Sequence, residues 1–400
     1  MSRISSSSCP IEQNIGLAKL RVIHWTRLKV PLGMTNAPLS SPGEPPPHMK
    51  NFFWPFALLI TFLTRAVFQA YPEFTERVYT QGLFTGIRWV LDYGLGWLPF
   101  PVVYLLFGVL LWRLGRFFFS LKKLPLKSVL QRLGLGAINV ACAVVTLFFL
   151  LWGFNYSRLP VETQLGLKPV SLTEETLQAE LERQTAVVLK LRTSLQPDTS
   201  KAIPLAELPS GMESDVRLLV ANQYASLGLP ASGSPRGRQP FWNGFLIRFG
   251  AAGIYNPFTG EGNIDRGLYF LTKPYNLAHE LGHAYGWGDE GTCTFLAYLA
   301  LKESGVPLYR YSAELGYWRE LASAYRRQNP EQYKAHFEQL PGGFVADLIL
   351  IRETLDKYPE FFESFRRKTY DNYLKAQGIK EGMANYGKVV PLVMAWRDQD

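Results

Sequence analysis

Ala278-His279-Glu280-Leu281-Gly282-His283 places two histidines four residues apart, with a glutamate directly after the first. On an α-helix, positions i and i+4 share one face, so both imidazoles can reach one metal ion. The glutamate then stands next to the first ligand and can take a proton from a water molecule that the metal activates. The segment therefore predicts a helix with a Zn²⁺ site, with His279 and His283 as ligands and Glu280 as the general base.

A third protein ligand is expected in the residues that follow, because a catalytic zinc site usually has three protein ligands and one open position. Two glycines within residues 284–289 can end the helix and turn the chain back. Asp289 lies six residues after His283, which is the spacing of the extended motif HExxHxxGxxD. Glu290 would instead complete a His/His/Glu set from the next helix. Asp289 can cap that helix while Glu290 binds the metal, which favours Glu290. Glu303 is a more distant alternative.

Three apolar segments precede the motif, at about residues 52–70, 98–119 and 135–154. Each has close to the roughly 20 residues that a helix needs to cross a hydrocarbon core of about 30 Å. Tryptophan and tyrosine flank the segments, as in the interfacial belts of membrane proteins. Residues 49–156 are therefore predicted to be a region of three transmembrane helices, which makes the chain a multi-pass membrane protein with the lipid bilayer as a partner.

The distribution of charge predicts how these helices are oriented. Residues 113–132, which cover the end of the second segment and the connection to the third, carry six basic residues and no acidic one, whereas the preceding connection is mixed in charge. Basic connections stay in the cytoplasm. The N-terminus is therefore predicted to be cytoplasmic, and residues 157–400 to form an extracytoplasmic domain.

Composition excludes several other classes of protein. The net charge is +9, but the basic residues form no stripe interleaved with aromatic residues, so no nucleic-acid partner is expected. Three cysteines exclude a disulfide framework and a cysteine-based zinc site. Residues 1–48 are rich in serine and proline and are predicted to be a disordered tail; Met49 is an alternative start of translation.

The fold predicted after the membrane region is a mostly helical, zincin-like α+β domain with a small sheet, so that the chain as a whole is mainly α. Residues 171–174 read as a capping box at the start of a helix. Residues 245–249 are short and apolar, as in a strand, and an edge strand over 245–252 could pair with an extended peptide. Residues 256–260 predict a turn, and helical patterns dominate from Tyr275 to about Tyr373.

Several segments resemble a bacterial membrane family known as domain of unknown function 3810, which is described as metallopeptidase-like. They are residues 71–79, 152–158, 253–261, 279–283, 289–298, 370–375 and 386–390. The resemblance implies a zinc-dependent, peptidase-like domain outside the inner membrane of a bacterium, and it favours Glu290 as the third ligand. Many members carry a second glutamate two positions later, where this chain has Thr292, so that residue's role does not transfer.

The leading hypothesis is a membrane-anchored zinc metallohydrolase, most simply a peptidase that acts on a peptide or protein. One alternative is a non-catalytic envelope protein with a structural or vestigial zinc site; another is a zinc hydrolase of lipid or cell-wall material. Glu261 could bind a substrate amine but more simply has a structural role. Tyr373 and Tyr386 could stabilise an oxyanion, although packing is the simpler role for each. The sequence indicates neither the substrate nor the oligomeric state.

Overall fold

The chain is mainly helical, as predicted, over the residues that the structure describes, which are 52–122, 124–168, 170–206 and 208–399 of a computed structural model. The predicted tail and the alternative start at Met49 lie outside these residues. The α-helices are α1 (Phe53–Ala70), α2 (Pro72–Thr75), α3 (Thr85–Gly94), α4 (Val103–Leu121), α5 (Leu126–Leu151), α6 (Val161–Leu165), α7 (Glu174–Leu195), α8 (Met212–Ser226), α9 (Phe245–Arg248), α10 (Lys273–Ala284), α11 (Glu290–Lys302), α12 (Pro307–Gln328), α13 (Pro330–Glu338), α14 (Gly342–Asp356), α15 (Glu363–Gln377) and α16 (Val389–Arg397). The strands are β1 (Gly237–Arg238), β2 (Gly253–Asn256) and β3 (Glu261–Ile264). A π-helix (Glu76–Phe84) joins α2 to α3, and 3₁₀-helices cover Gly153–Ser157, Phe270–Thr272 and Gly382–Lys388.

Three helices, α1, α4 and α5, are long and apolar enough to cross a membrane. Few of their residues are buried within the protein, which leaves apolar surface for lipid. Two of the predicted boundaries are wrong. Helix α4 begins at Val103 rather than near 98, after Pro101, and α5 begins at Leu126 rather than 135, directly after Pro125. Proline is tolerated at the start of a helix but not in its interior, so these two residues set both starting points.

The connection between α1 and α4 is helical and packs against the rest of the chain. Arg88 pairs with Asp92 one turn later, and its Nη1 donates a hydrogen bond of 2.8 Å to the carbonyl oxygen of Gly260. Glu76 forms a two-pronged ion pair with Arg158, at 2.8 and 3.0 Å. All these charged side chains are nearly inaccessible to solvent. The ends of α1 and α4 that face this connection are therefore joined to the residues that follow α5.

A small sheet lies beside α10. Its strand order is β1-β3-β2, with β1 parallel and β2 antiparallel to β3. The predicted turn at residues 256–260 is confirmed, since it closes the β2–β3 hairpin in which Asn256 pairs with Glu261. β2 is an edge strand.

The predicted strand at residues 245–249 is wrong, because these residues begin with the short helix α9. Asp265 accepts hydrogen bonds from the backbone N–H groups of Gly244 (2.7 Å) and Leu246 (2.6 Å). Gly244 enters the turn with φ of 78°, a conformation that favours glycine. A distant carboxylate thus holds an apolar segment in a helical turn, and the edge strand lies further along the chain, at β2.

The predicted capping box is displaced by two residues. Thr173, rather than Ser171, precedes α7 and accepts a hydrogen bond from the backbone N–H of Thr176, whose hydroxyl accepts one from the backbone N–H of Thr173. Threonine can fill the third helical position of the box because its hydroxyl reaches back to the cap, as a glutamate does in the usual form.

A buried ion pair joins α7 to α14. Arg192 Nε donates to Asp347 Oδ2 at 2.7 Å, and Asp347 Oδ1 accepts from the backbone N–H of Ile203 at 2.7 Å. The Asp347 side chain is fully buried. Replacing Asp347 by alanine leaves the guanidinium buried without its partner, and we expect the free energy of unfolding to fall by about 3–5 kcal/mol. Denaturant unfolding of the detergent-solubilised protein measures this loss.

Asp356→Ala is the matched control for Asp347→Ala. It lies on the same helix, in an exposed pair with Arg352, and should leave the free energy of unfolding nearly unchanged. An equal effect of the two substitutions would contradict a specific role for the buried pair.

Candidate metal centre

Helix α10 carries the two histidines and ends directly after them. Its last turn is closed by Gly286, which has φ of 88°, a value at which a Cβ would be strained. The chain then reverses, and α11 packs against α10. Gly282 makes this close approach possible, because a Cβ there would lie only 3.2 Å from Cys293. The reversal brings the first residue of α11, Glu290, back to the two histidines.

His279, His283 and Glu290 converge on one point. Each offers one ligand atom, and these three atoms lie within 4.8 Å of one another. Glu290 Oε2 is 3.1 Å from His279 Nε2 and 3.2 Å from His283 Nε2. Ligand atoms of a tetrahedral zinc are separated by about 3.3 Å, given metal–ligand distances near 2.0–2.1 Å. The three residues predicted as ligands are thus together and suitably spaced; their role in binding metal remains a prediction.

Asp289, the alternative third ligand, is engaged elsewhere. Its carboxylate caps α11 by accepting from the backbone N–H of Thr292 at 2.7 Å. Its other oxygen accepts from Asn385 Nδ2 at 2.9 Å and from Lys388 Nζ at 3.2 Å. Glu303 follows the far end of α11, and its side chain is exposed. In this arrangement only Glu290 of the three acidic candidates faces the histidines.

Hydrogen bonds determine which nitrogen of each imidazole carries a proton and which one presents a lone pair to the cluster. The Thr294 hydroxyl donates to the backbone carbonyl of Glu290 at 2.7 Å, so at 3.1 Å it accepts from His279 Nδ1–H. The carbonyl of Trp287 accepts from His283 Nδ1–H at 2.7 Å. With Nδ1 protonated, each neutral imidazole turns an Nε2 lone pair towards the Glu290 carboxylate. When both imidazoles are neutral, three acceptors converge without a donor, which is a chemical environment suited to a cation.

Ionisation in the cluster is tightly coupled. Burial raises the pKa of Glu290, but His283 and His279 hold it well below its usual range. Burial lowers the pKa of His283, whereas Cys293 and Glu290 together raise it well above its ordinary value. Without a metal, a proton shared with His283 can balance the carboxylate. Binding of a divalent cation is therefore expected to release a proton.

Glu280 lies against the sheet next to the cluster. A Cβ at Gly253 would lie 2.5 Å from its Oε1, and one at Gly262 would lie 3.0 Å from its Cβ, so both strands approach it closely because they carry glycine there. The residue is 6% exposed, and its Oε2 has no hydrogen-bond partner among the described residues. Burial, the largest cause, raises its pKa to about 8. A buried carboxyl group with a free oxygen and a pKa close to neutral pH is suited to exchanging a proton with a ligand in the site.

Two tyrosines from the end of the chain complete the surroundings. Tyr370 on α15 donates a hydrogen bond of 2.6 Å to Glu290 Oε1, the oxygen that faces away from the histidines. The ring of Tyr386 stacks on His279, with centroids 6.2 Å apart. Sequence reasoning assigned no site role to Tyr370 or to Thr294. No spacing rule links either residue to the motif, because only the tertiary fold brings α15 over Glu290.

The end of the third apolar helix contacts α10 directly. Trp152 Nε1, just after α5, donates to the backbone carbonyl of His283 at 2.7 Å. Arg158 Nη1 donates to the carbonyls of Tyr285 and Gly286 at 3.3 and 3.2 Å. These donors satisfy carbonyl groups at the C-terminal end of α10. The candidate centre is therefore held in place by residues that directly follow a predicted membrane span.

Glu261 has the structural role that the sequence favoured. It is 2% exposed, and its two carboxylate oxygens accept from Arg238 Nε at 3.0 Å and from the backbone N–H of Val102 at 2.9 Å. Both oxygens are thus used, and the residue joins β3 to the start of α4.

The chain matches the model of a protein family. The family described as "Protein of unknown function (DUF3810)" matches residues 79–394, more than three quarters of the chain. The chain belongs to this family. The match covers α4, α5, the sheet, α10, α11, Tyr370 and Tyr386. No curated protein and no solved structure matches the chain.

Tyr370→Phe tests the hydrogen bond to Glu290 in this DUF3810 protein. Loss of a group that orients a metal ligand typically weakens metal binding by about 10–100-fold, and we expect a loss in this range for zinc. Titration against a chromophoric chelator measures it. Tyr373→Phe is the control: Tyr373 lies on the same helix, and its hydroxyl is 3.1 Å from that of Tyr156 rather than at Glu290. Equal zinc affinity in wild type and Tyr370→Phe would show that the contact does not support the site.

Proposed function

We propose that this protein is a membrane-anchored zinc metallohydrolase, with peptide hydrolysis as the favoured activity. The observation that carries the proposal is the convergence of two imidazole lone pairs and a carboxylate beside Glu280, a buried carboxylate with an unpartnered oxygen. The donor set of two nitrogens and one oxygen is typical of catalytic zinc sites.

In the proposed mechanism, His279, His283 and Glu290 would hold the zinc, which when bound would supply a Lewis acid for activating water and polarising a carbonyl group. Glu280 accepts a proton at Oε2 from the attacking water and passes it to the leaving amine. Thr294 and the Trp287 carbonyl keep Nδ1 of each histidine protonated, and Tyr370 orients Glu290.

The edge strand β2 favours a peptide substrate. Among the described residues, no strand pairs with its outer edge, and Ile254 on it is about half exposed. An extended peptide can add to such an edge through backbone hydrogen bonds. Because Gly253 of the same strand touches Glu280, a peptide bound there would pass close to the proposed base.

The number of candidate ligands favours a catalytic site over the structural alternative. Structural zinc sites are usually closed by four protein ligands, whereas the described residues offer three His, Asp, Glu or Cys side chains at this point. Cys293 does not make a fourth, because its Sγ lies 3.3 Å from His283 Nδ1, the nitrogen that faces away from the cluster.

We further propose an inner-membrane location with an extracytoplasmic domain. The three apolar helices suggest membrane anchoring, and contacts of Trp152, Val102 and the α1–α4 connection tie their domain-facing ends to α10 and to the β2–β3 hairpin. The opposite ends of α4 and α5 carry the basic connection, which the positive-inside rule assigns to the cytoplasm.

The deciding experiment uses the purified full-length protein, loaded with zinc and incubated with a peptide library. The proposal expects hydrolysis by the wild type and none by Glu280→Gln. A lipid or cell-wall hydrolase would instead show zinc-dependent turnover of those substrates and leave the library intact.

A further inference from the structure

We propose that an exposed aromatic strip beside the membrane helices inserts into the boundary between headgroups and acyl chains of the bilayer that these helices cross. The strip consists of aromatic residues in and on either side of α9, together with others at the start of α15 and just before it. They are Phe241, Trp242, Phe245, Phe249, Phe361, Phe362 and Phe365. The proposal does not depend on metal chemistry.

The strip is continuous with a predicted membrane span. Phe241 contacts Tyr104 and Phe107 of α4, with ring centroids 6.3 and 6.1 Å apart. Phe107 lies four residues into α4, about 6 Å along the helix axis from its start. An aromatic ring at that position lies beside the apolar part of the helix. Phe241 is therefore at a depth where lipid is the surrounding solvent.

From Phe241 the ring contacts run outward without a gap. Centroid separations are 4.2 Å from Phe241 to Phe245, 5.4 Å from Phe245 to Phe249, and 5.8 Å from Phe249 to Phe361. Trp242 joins the strip at 4.9 Å from Phe245. The contacts thus link the span to the segment that begins α15.

The outer members of the strip expose much of their apolar surface. Trp242 is 65% exposed, Phe362 84% and Phe365 74%. Contiguous exposed apolar surface of this kind marks a protein or membrane contact. Phe241 and Phe362 are also the two described non-glycine residues with positive φ, at 67° and 50°. Such backbone strain often accompanies a functional constraint.

The far end of α15 is also held at membrane depth. The Arg65 guanidinium on α1 donates to the carbonyl oxygen of Ala376, in the last turn of α15. Arg65 lies five residues before the end of α1, about 7 Å along its axis. Helix α15 therefore has its C-terminal end beside one span and carries Phe362 and Phe365 at its other end.

Charge favours a bilayer as the occupant over a second copy of the chain. Residues 241–249 and 360–368 together contain four basic residues and two acidic residues. Glu360 and Glu363 pair with Arg366 and Arg367, and the net charge of the strip remains positive. Arg248 lies over the ring of Phe361, at 5.7 Å from its centroid. Basic side chains beside aromatic ones can extend to lipid phosphates while their stems cover apolar surface. Two copies facing each other would instead bring like charges together.

The test uses full-length protein in phospholipid nanodiscs, with single cysteines at Trp242, Phe362 or Phe365 carrying an environment-sensitive fluorophore. Cys9 and Cys142 are replaced beforehand; Cys293 is fully buried and stays. Lipids spin-labelled near the headgroup should quench each probe at least about twofold relative to unlabelled lipid. Leu205→Cys is the control, since Leu205 is 80% exposed but lies outside the strip, and its probe should not be quenched.

Quenching at the three positions no stronger than at Leu205→Cys would overturn the proposal. So would probe emission that depends on protein concentration rather than on the spin label, which would indicate contact between copies. Phe365→Cys keeps the test informative if another variant misfolds. The side chain of Phe365 is mostly exposed, so its removal costs little packing and this variant should fold.

Discussion

Glu280→Gln should abolish hydrolysis and leave the metal in place. The amide has the size of the carboxyl group but cannot accept the proton of the attacking water, and positioned general bases typically contribute about 10²–10⁴-fold to the rate. Because Glu280 is not among the three converging ligands, zinc content should stay at the wild-type level. The measurements are turnover of a peptide identified in the library and metal analysis of the same sample.

Glu303→Gln is the matched control for this substitution. Glu303 lies beyond the end of α11 with an exposed side chain, so its replacement should change neither zinc content nor turnover. Wild-type turnover by Glu280→Gln would refute the proposed base. Loss of zinc from that variant would place Glu280 among the ligands instead.

His283→Ala should empty the metal site. It removes one of three ligand atoms, and the effect on zinc affinity should exceed the about 100-fold that loss of a supporting hydrogen bond can cost. Zinc measured after dialysis should fall from about one atom per chain to a small fraction of that. Glu290→Gln should act in the same direction, because an amide oxygen is a weaker ligand than a carboxylate.

His336→Ala controls for the loss of any histidine. Nε2 of His336 lies 3.1 Å from the Thr185 hydroxyl, on α13 and away from the cluster, so zinc should be retained. Unchanged zinc content in His283→Ala would refute the proposed site. A negative result in these zinc measurements would leave the proposal for the aromatic strip untouched, because the test of the strip measures lipid contact and involves no metal.

Local patterns in the sequence predicted much of the architecture. Apolar runs of about 20 residues predicted the three long helices, and the turn at 256–260 and the helical region after Tyr275 were also predicted correctly. These features depend on neighbours along the chain. The starting points of α4 and α5 were missed, although Pro101 and Pro125 were visible signals for them.

Other errors arose where distant residues decide local structure. Residues 245–249 are apolar enough for a strand, but Asp265, about twenty residues later, satisfies the N–H groups of a helical turn there. The edge strand lies at β2 because β3 pairs with it there in a hairpin. No periodicity within 245–252 could have indicated either contact.

The sequence by itself determined that two histidines share a helix face beside a glutamate, because the spacing of four residues matches the helical repeat. It also determined three lipid-compatible helices, because length and apolarity are local properties. Only the tertiary structure decided that Glu290 rather than Asp289 meets the histidines, that Tyr370 supports it, and that Trp152 ties the site to the end of α5. Those contacts join residues far apart in the chain, and their geometry follows from how the helices pack.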